Sequence, residues 1–202
     1  MTLFILGLTG SIGMGKSAVV RMFARYGVPA HDADAVSRAV TEVGGAAVPG
    51  LKKLVPTCFS GEVLNRAALG ALIFADPGLR RRVEGVIHPL VQQSEEAFLR
   101  QARMDGHRLV VLDIPLLFET GADKRVDAVA VVSAAAGIQR ARVLRRPGMT
   151  MEKLNAILDS QLPDQDKRAR ADFIIPTGGR LRDTLHTVKT LIWALKYARN
   201  RS

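Results

Sequence analysis

A parallel α/β sheet with an inserted helical segment is the fold class that this sequence predicts, and three observations predict it. Short β-rich apolar runs alternate with longer segments of helical period, the pattern of strand–helix–strand units. The stretch between the second and third runs is too long for one crossover helix. A glycine-rich loop joins the first run to the first helical segment.

In chain order, strands are expected at Leu3–Leu8, Val28–His31, Arg108–Asp113, Ala128–Val132 and Asp172–Ile175, each of strand length. Helical period marks Lys16–Tyr26 (closed by Gly27), Asp34–Val43, Arg66–Phe74, Leu79–Met104, Gly137–Arg145, Met151–Gln161 and Arg180–Arg199. The breakers "VGGAAVPG" (43–50) and "PTGG" (176–179) are expected in loops. A nucleotide-type core is thus expected from about residues 1–32, 105–136 and 170–202, with a helical subdomain at about 33–104 and a small helical hairpin at about 137–169.

Composition bounds the function. The 202 residues are 48% hydrophobic and 24% charged, ordinary for a packed domain and unlike a disordered chain. The start "MTLFILGLTG" reads as a first strand rather than a leader or span, so a cytoplasmic protein without membrane attachment is expected. Cys58 has no partner for a disulfide and no metal-spaced companions, and reads as a small buried hydrophobe. The net charge of +10 calls for an anionic partner: nucleic acid, an anionic surface or a phosphorylated small molecule. Basic residues gather in "LRRRV" (79–83), "QRARVLRRPG" (139–148), "DKRARAD" (166–172) and the tail at 196–202, runs that solvated helix faces would also explain.

The loop Gly10–Ser17, "GSIGMGKS", fits G-x-x-x-x-G-K-[ST] after a strand and before a helix. Glycines at 10, 13 and 15 let backbone N–H groups turn toward phosphate oxygens. The expected nucleotide-binding segment is Gly13, Met14, Gly15, Lys16, Ser17 and Ala18. Within it Lys16 meets the β/γ-phosphates of ATP, and Ser17 offers a hydroxyl to Mg²⁺. A plain glycine-rich turn would not require Lys followed by Ser.

An acidic element must narrow the class. Asp113 ends the apolar strand of "RLVVLDIPLLFE" (108–119), where a carboxylate can serve Mg²⁺ directly or through water; the alternative is a cap for the turn before Pro115. No N-K-x-D guanine motif is present, which disfavours a GTPase. In "VPAHDADAVSR" (28–38), Asp32 and Asp34 are both candidates to orient and deprotonate an acceptor hydroxyl, and either could cap a helix; Asp32 is placed nearer the cap and Asp34 nearer the chemistry. A closing arginine-bearing lid would neutralise transferring phosphate, and Arg142 and Arg146, four apart on one helix, are its candidates.

Taken together, these segments resemble the dephospho-coenzyme A kinase family nearly end to end. The resemblance is carried by "GLTGSIGMGKS", "VPAHDADAVSR", "GEVLNRAALGALIFADPGLRRRVEGVIHPLV" (61–91), "VVLDIPLLFE", "QRARVLRRPGMT" and "SQLPDQDKRARADFII", in the family's order. It implies a P-loop kinase core of five parallel strands, a helical substrate subdomain and a lid. It also implies ATP-dependent phosphorylation of the ribose 3′-hydroxyl of dephospho-CoA; a monomer or small homo-oligomer that takes no nucleic acid is expected. By motif position it makes Asp34 the base, puts Arg38, His88 and Pro89 with Asp32 on the substrate side, and makes Arg142 and Arg146 lid arginines. Without the resemblance, His88 in its apolar helix would read as a core histidine. Ser11 and Met14 stand where the family more often has Gly and Ser, positions whose backbone faces phosphate. Thr177 stands where Asn is common, which leaves its adenine contact open. A kinase of shikimate, gluconate or a nucleoside monophosphate, and a regulatory nucleic-acid-binding module, are the alternatives; few aromatics (5%) disfavour the latter.

Overall fold

The computed structural model describes residues 2–197, so the basic tail beyond Tyr197 lies outside the described residues. In chain order its elements are β1 (Phe4–Thr9), α1 (Lys16–Arg25), β2 (Ala30–Asp32), α2 (Ala33–Val40), α3 (Val48–Leu54), β3 (Phe59–Ser60), β4 (Val63–Leu64), α4 (Arg66–Ala75) and α5 (Pro77–Met104). There follow β5 (Leu109–Asp113), β6 (Ala128–Ser133), α6 (Ala136–Leu144), α7 (Met151–Asp159), α8 (Asp164–Ala169), β7 (Phe173–Pro176) and α9 (Leu181–Tyr197). The chain divides into two compact units: residues up to His31 together with those from Ala102 onward, and Asp32–Gln101.

In the first unit, a five-stranded parallel sheet runs β2-β5-β1-β6-β7. The chain fills one side of β1 before crossing to the other, so the carboxyl end of β1 lies where the strand order reverses, the position at which open α/β sheets bind ligands. Strands β5 and β6 are buried at every residue, as expected of parallel strands covered on both faces. Side-chain alternation sorts the layers. Leu6, Leu8, Leu109, Val111, Ala128, Ala130 and Val132 share one cluster with Val19 and Phe23 of α1 and Val188, Leu191 and Ile192 of α9. Gly7 points to the other layer, where a Cβ would stand 2.7 Å from Leu117 Cδ1.

The second unit has its own core of Ala47, Leu51, Val55, Cys58, Leu69, Leu79 and Val83. Cys58 is a buried hydrophobe, as its sequence context suggests. Asn65 caps α4, and Asp76 Oδ1 accepts the N–H groups of Gly78 and Leu79 at the start of α5, two residues earlier than periodicity indicates because Pro77 fits a first helical turn. Helix α3 begins inside the expected loop 43–50, with Pro49 in its first turn. The β3–β4 hairpin and α8 were not expected either.

Helix α8 is held by charge. Lys167, 0% exposed, pairs with Glu119 at 2.9 Å, and Glu119 also accepts the Leu162 N–H at 2.8 Å. Burial alone would raise the Glu119 carboxyl, but Lys167 and the Leu162 amide outweigh it and hold the pKa below the ordinary Glu value. A depressed carboxylate contributes stability above its unfolded pKa, and that contribution is lost as pH falls through the folded one. Thermal melts should therefore show Glu119→Gln less stable by about 3 kcal/mol at neutral pH, because Lys167 is left buried and unpaired. Its loss of stability from about pH 5 downward should be shallower than that of the wild type.

Candidate active site

The loop between β1 and α1 is shaped by two glycines at positions where a side chain would be strained. Gly13 has φ +78°, and a Cβ there would stand 2.4 Å from Val143 Cγ2 of α6. Gly15 has φ +90°, and its Cβ position lies 3.4 Å from Thr177 Oγ1 and 3.5 Å from Arg142 Nη1. Both φ values are left-handed, where side chains are disfavoured. Helix α6 and the end of β7 therefore lie directly against the loop.

The loop's amides divide into two sets. The Met14 N–H donates to Ser11 O at 3.2 Å, the Ala18 N–H to Gly15 O at 3.0 Å, and the Ile12 N–H to Gln161 Oε1 at 3.2 Å. Those of Gly10, Ser11, Gly13, Gly15, Lys16 and Ser17 have no acceptor among the described residues, and the last four lie at the helix end of the loop. Four unspent donors at the start of a helix form a cradle for an anion. Of the expected nucleotide segment, Met14 and Ala18 consequently offer no free amide, because the loop's own turn and the first turn of α1 consume them. The Met14 side chain turns into the protein rather than toward the cradle. It is buried, and its sulfur accepts the Ala134 N–H at 3.2 Å.

Charge surrounds the cradle. Register pairs Leu8 of β1 with Asp113 of β5, which brings the Asp113 carboxylate beside the loop, and Lys16 Nζ donates to Asp113 Oδ1. The Asp113 side chain is thus engaged with Lys16 rather than serving only as a turn cap. Ser17 is exposed on the first turn of α1. Arg142 donates from Nη1 to Thr177 Oγ1 at 3.2 Å and from Nη2 to Thr177 O at 2.6 Å, which places its guanidinium over Gly15. Arg146 does not share its helix. Helix α6 ends at Leu144, and the chain turns at "RPG" before α7, leaving Arg146 exposed in the turn. Thr177 spends its own hydroxyl on Met14 O at 2.6 Å, so that side-chain donor is committed inside the protein.

Three site residues escaped the sequence reading: Gln139, Gln161 and the structural role of Thr177. Gln139 Nε2 donates to Ile12 O at 2.8 Å, while Gln161 accepts from the same residue's N–H, so one loop residue is gripped on both sides.

In the second unit, Asp32 caps α2, its Oδ1 accepting the Ala35 N–H at 2.8 Å. Asp34 is exposed in the first turn of α2, and Arg38 follows four residues later on the same face. The Arg38 carbonyl accepts from Arg66 Nη2 at 2.9 Å. His88 is exposed on α5 rather than a core histidine, and Pro89 follows it inside that helix. Among the described residues no group of three or more His, Cys, Asp or Glu side chains could hold a metal ion, and no helix is long and apolar enough to cross a membrane.

Sheet order, cradle and charged rim define a kinase of the P-loop architecture. The sequence model of the family described as Dephospho-CoA kinase matches residues 4–183, and the chain belongs to that family. Dephospho-CoA kinase of Mesorhizobium japonicum is 50% identical over 195 residues, covering 96% of this chain and 98% of that protein. The crystal structure of TT1252 from Thermus thermophilus superposes with a TM-score of 0.87 at 33% identity, covering 96% of this chain and 98% of that one. Dephospho-CoA kinase from Campylobacter jejuni shares the fold, with a TM-score of 0.71 at 21% identity and coverage of 96% and 98%.

Lys16 brings an ammonium that pairs with Asp113 beside the cradle, where a bound phosphate and its transition state would both feel it. Lys16→Ala should therefore lower kcat at least about 10²-fold in steady-state assays, while circular dichroism at working temperature shows the native helix content retained.

Proposed function

We propose that this chain transfers the γ-phosphoryl group of ATP to the ribose 3′-hydroxyl of dephospho-CoA, giving coenzyme A and ADP. One observation carries the transfer: four unspent amides on a loop flanked by Lys16 and roofed by the Arg142 guanidinium. The acceptor follows from near full-length kinship with dephospho-CoA kinases.

The roles follow from the chemistry of each group. Amides of Gly13, Gly15, Lys16 and Ser17 hold phosphate oxygens, and Lys16 exchanges Asp113 for the β/γ-phosphates. Arg142 has five N–H donors, so it can keep Thr177 and still reach phosphate; exposed Arg146 adds a second cation. The donor set fits Mg²⁺: Ser17 and Asp113 offer hard oxygen ligands, and this ion needs few protein ligands because it keeps several waters. Bound there, it would neutralise β- and γ-phosphate charge.

Asp34 accepts the 3′-hydroxyl proton as the oxygen attacks phosphorus and the bond from the γ-phosphorus to the bridging oxygen breaks, releasing ADP. The two carboxylates differ in a way that supports this assignment: Asp32 is committed to its helix cap, whereas Asp34 is exposed. Arg38, His88 and Pro89 serve the acceptor side. The reaction belongs in the cytoplasm, where ATP is available.

Coupled measurement of ADP release tests the reading. Dephospho-CoA should support turnover while shikimate and AMP do not, and turnover with either of the latter alone would overturn the assigned acceptor. Asp34→Asn should lose about 10²–10⁴-fold in turnover with dephospho-CoA binding retained by calorimetry. Asp32→Asn should be milder, since Asn caps helices nearly as well as Asp. The reverse ranking would exchange the two roles.

A further inference from the structure

An amide donor swings with its peptide plane, so unspent donors must be aimed by something. In a trans peptide the carbonyl of one residue and the N–H of the next lie on opposite edges of one rigid plane, and fixing either fixes the other. The plane that carries the Gly15 N–H has the Met14 carbonyl on its far edge, and that carbonyl accepts Thr177 Oγ1 at 2.6 Å. The plane that carries the Gly13 N–H has the Ile12 carbonyl on its far edge, and that carbonyl accepts Gln139 Nε2 at 2.8 Å. Two of the four cradle donors thus have a side-chain bond behind them. Both belong to glycines, whose backbone is otherwise the most permissive in the loop.

The two bonds are well supported. Thr177 and Gln139 are each only 7% exposed, so water competes little for either. The Thr177 N–H extends the β6–β7 ladder to Ser133 O at 2.9 Å, which fixes its backbone. Its hydroxyl has one proton, and Met14 O at 2.6 Å takes it in preference to Ser133 O at 3.4 Å. Arg142 donates to that same hydroxyl, and a cationic donor polarises it and strengthens its donation onward. Gln139 lies three residues before Arg142 on α6, so both bear on the loop from one helix face.

We propose that Thr177 and Gln139 are positioning residues that hold the Met14–Gly15 and Ile12–Gly13 peptide planes so that the glycine N–H groups face phosphate oxygens. This rests on the nucleotide-loop reading above and extends it to residues outside the loop motif.

Thr177→Val removes the hydroxyl at nearly constant shape, and Thr177→Ser keeps it. Each should be titrated calorimetrically with ATP and with inorganic tripolyphosphate, after melting curves establish that it is folded. Thr177→Val should weaken both probes by the same factor, about tenfold, the equivalent of one hydrogen bond. KM for ATP should rise while KM for dephospho-CoA stays fixed, and Thr177→Ser should bind as the wild type does. Unchanged tripolyphosphate affinity in folded Thr177→Val, or Thr177→Ser as weak as Thr177→Val, would overturn the proposal alone. Should Thr177→Val not fold, Gln139→Leu puts the same question to the other plane: equal loss for both probes supports the proposal, and no loss overturns it. A wild-type protein that binds neither probe would instead overturn the nucleotide-loop reading and this proposal with it.

Discussion

The structure is organised around a backbone constraint: amides withdrawn from water must find acceptors, yet the turn between β1 and α1 leaves several, those of Gly13, Gly15, Lys16 and Ser17 among them, without one among the described residues. Such a turn is costly unless its shape is imposed from outside. Here β1, β5 and β6 supply a rigid floor, fully buried along β5 and β6, and left-handed glycines let the chain reverse above it. Gln139, Gln161 and Thr177 then satisfy the Ile12 carbonyl, the Ile12 amide and the Met14 carbonyl, and so hold the turn's shape from outside.

Charge is handled by the same economy. Lys16 at the start of α1 and Asp113 at the end of β5 neutralise each other, a pairing that in the proposed function a polyphosphate would replace, offering Lys16 more negative charge and freeing the carboxylate for a cation. Arg142 spends two of its five donors on Thr177, so its position over Gly15 is set before any ligand arrives. Preset charges of this kind need little reorganisation during phosphoryl transfer, where most of the catalytic demand is electrostatic.

Much of this was legible in the sequence because it is encoded locally. All five sheet strands fall within two residues of the runs picked out by apolar patterning, and the loop motif falls on the β1–α1 turn. What escaped was non-local. Nothing near Gln139 or Gln161 announces that they grip Ile12, from which they are separated by 127 and 149 residues. Glutamine in a helix is also an ordinary helix former. Helix α3 was hidden because its first turn contains a proline and a glycine that read as breakers, although proline is compatible with a first turn. Arg146 lies two residues past the end of α6, because the residue before Pro147 is steered away from helical backbone. His88 shows the limit of local apolarity, which does not reveal which side of a helix faces solvent.

The central claim is that the amides of Gly13, Gly15, Lys16 and Ser17 are the phosphate donors. Titration of ¹⁵N-labelled protein with inorganic tripolyphosphate tests it most directly, by following backbone amide resonances. The account predicts large downfield proton shifts for those four amides, with the amides of Ile12, Met14 and Ala18, already hydrogen-bonded within the protein, moving far less. Shifts of equal size across all seven, or largest shifts on the committed three, would contradict it.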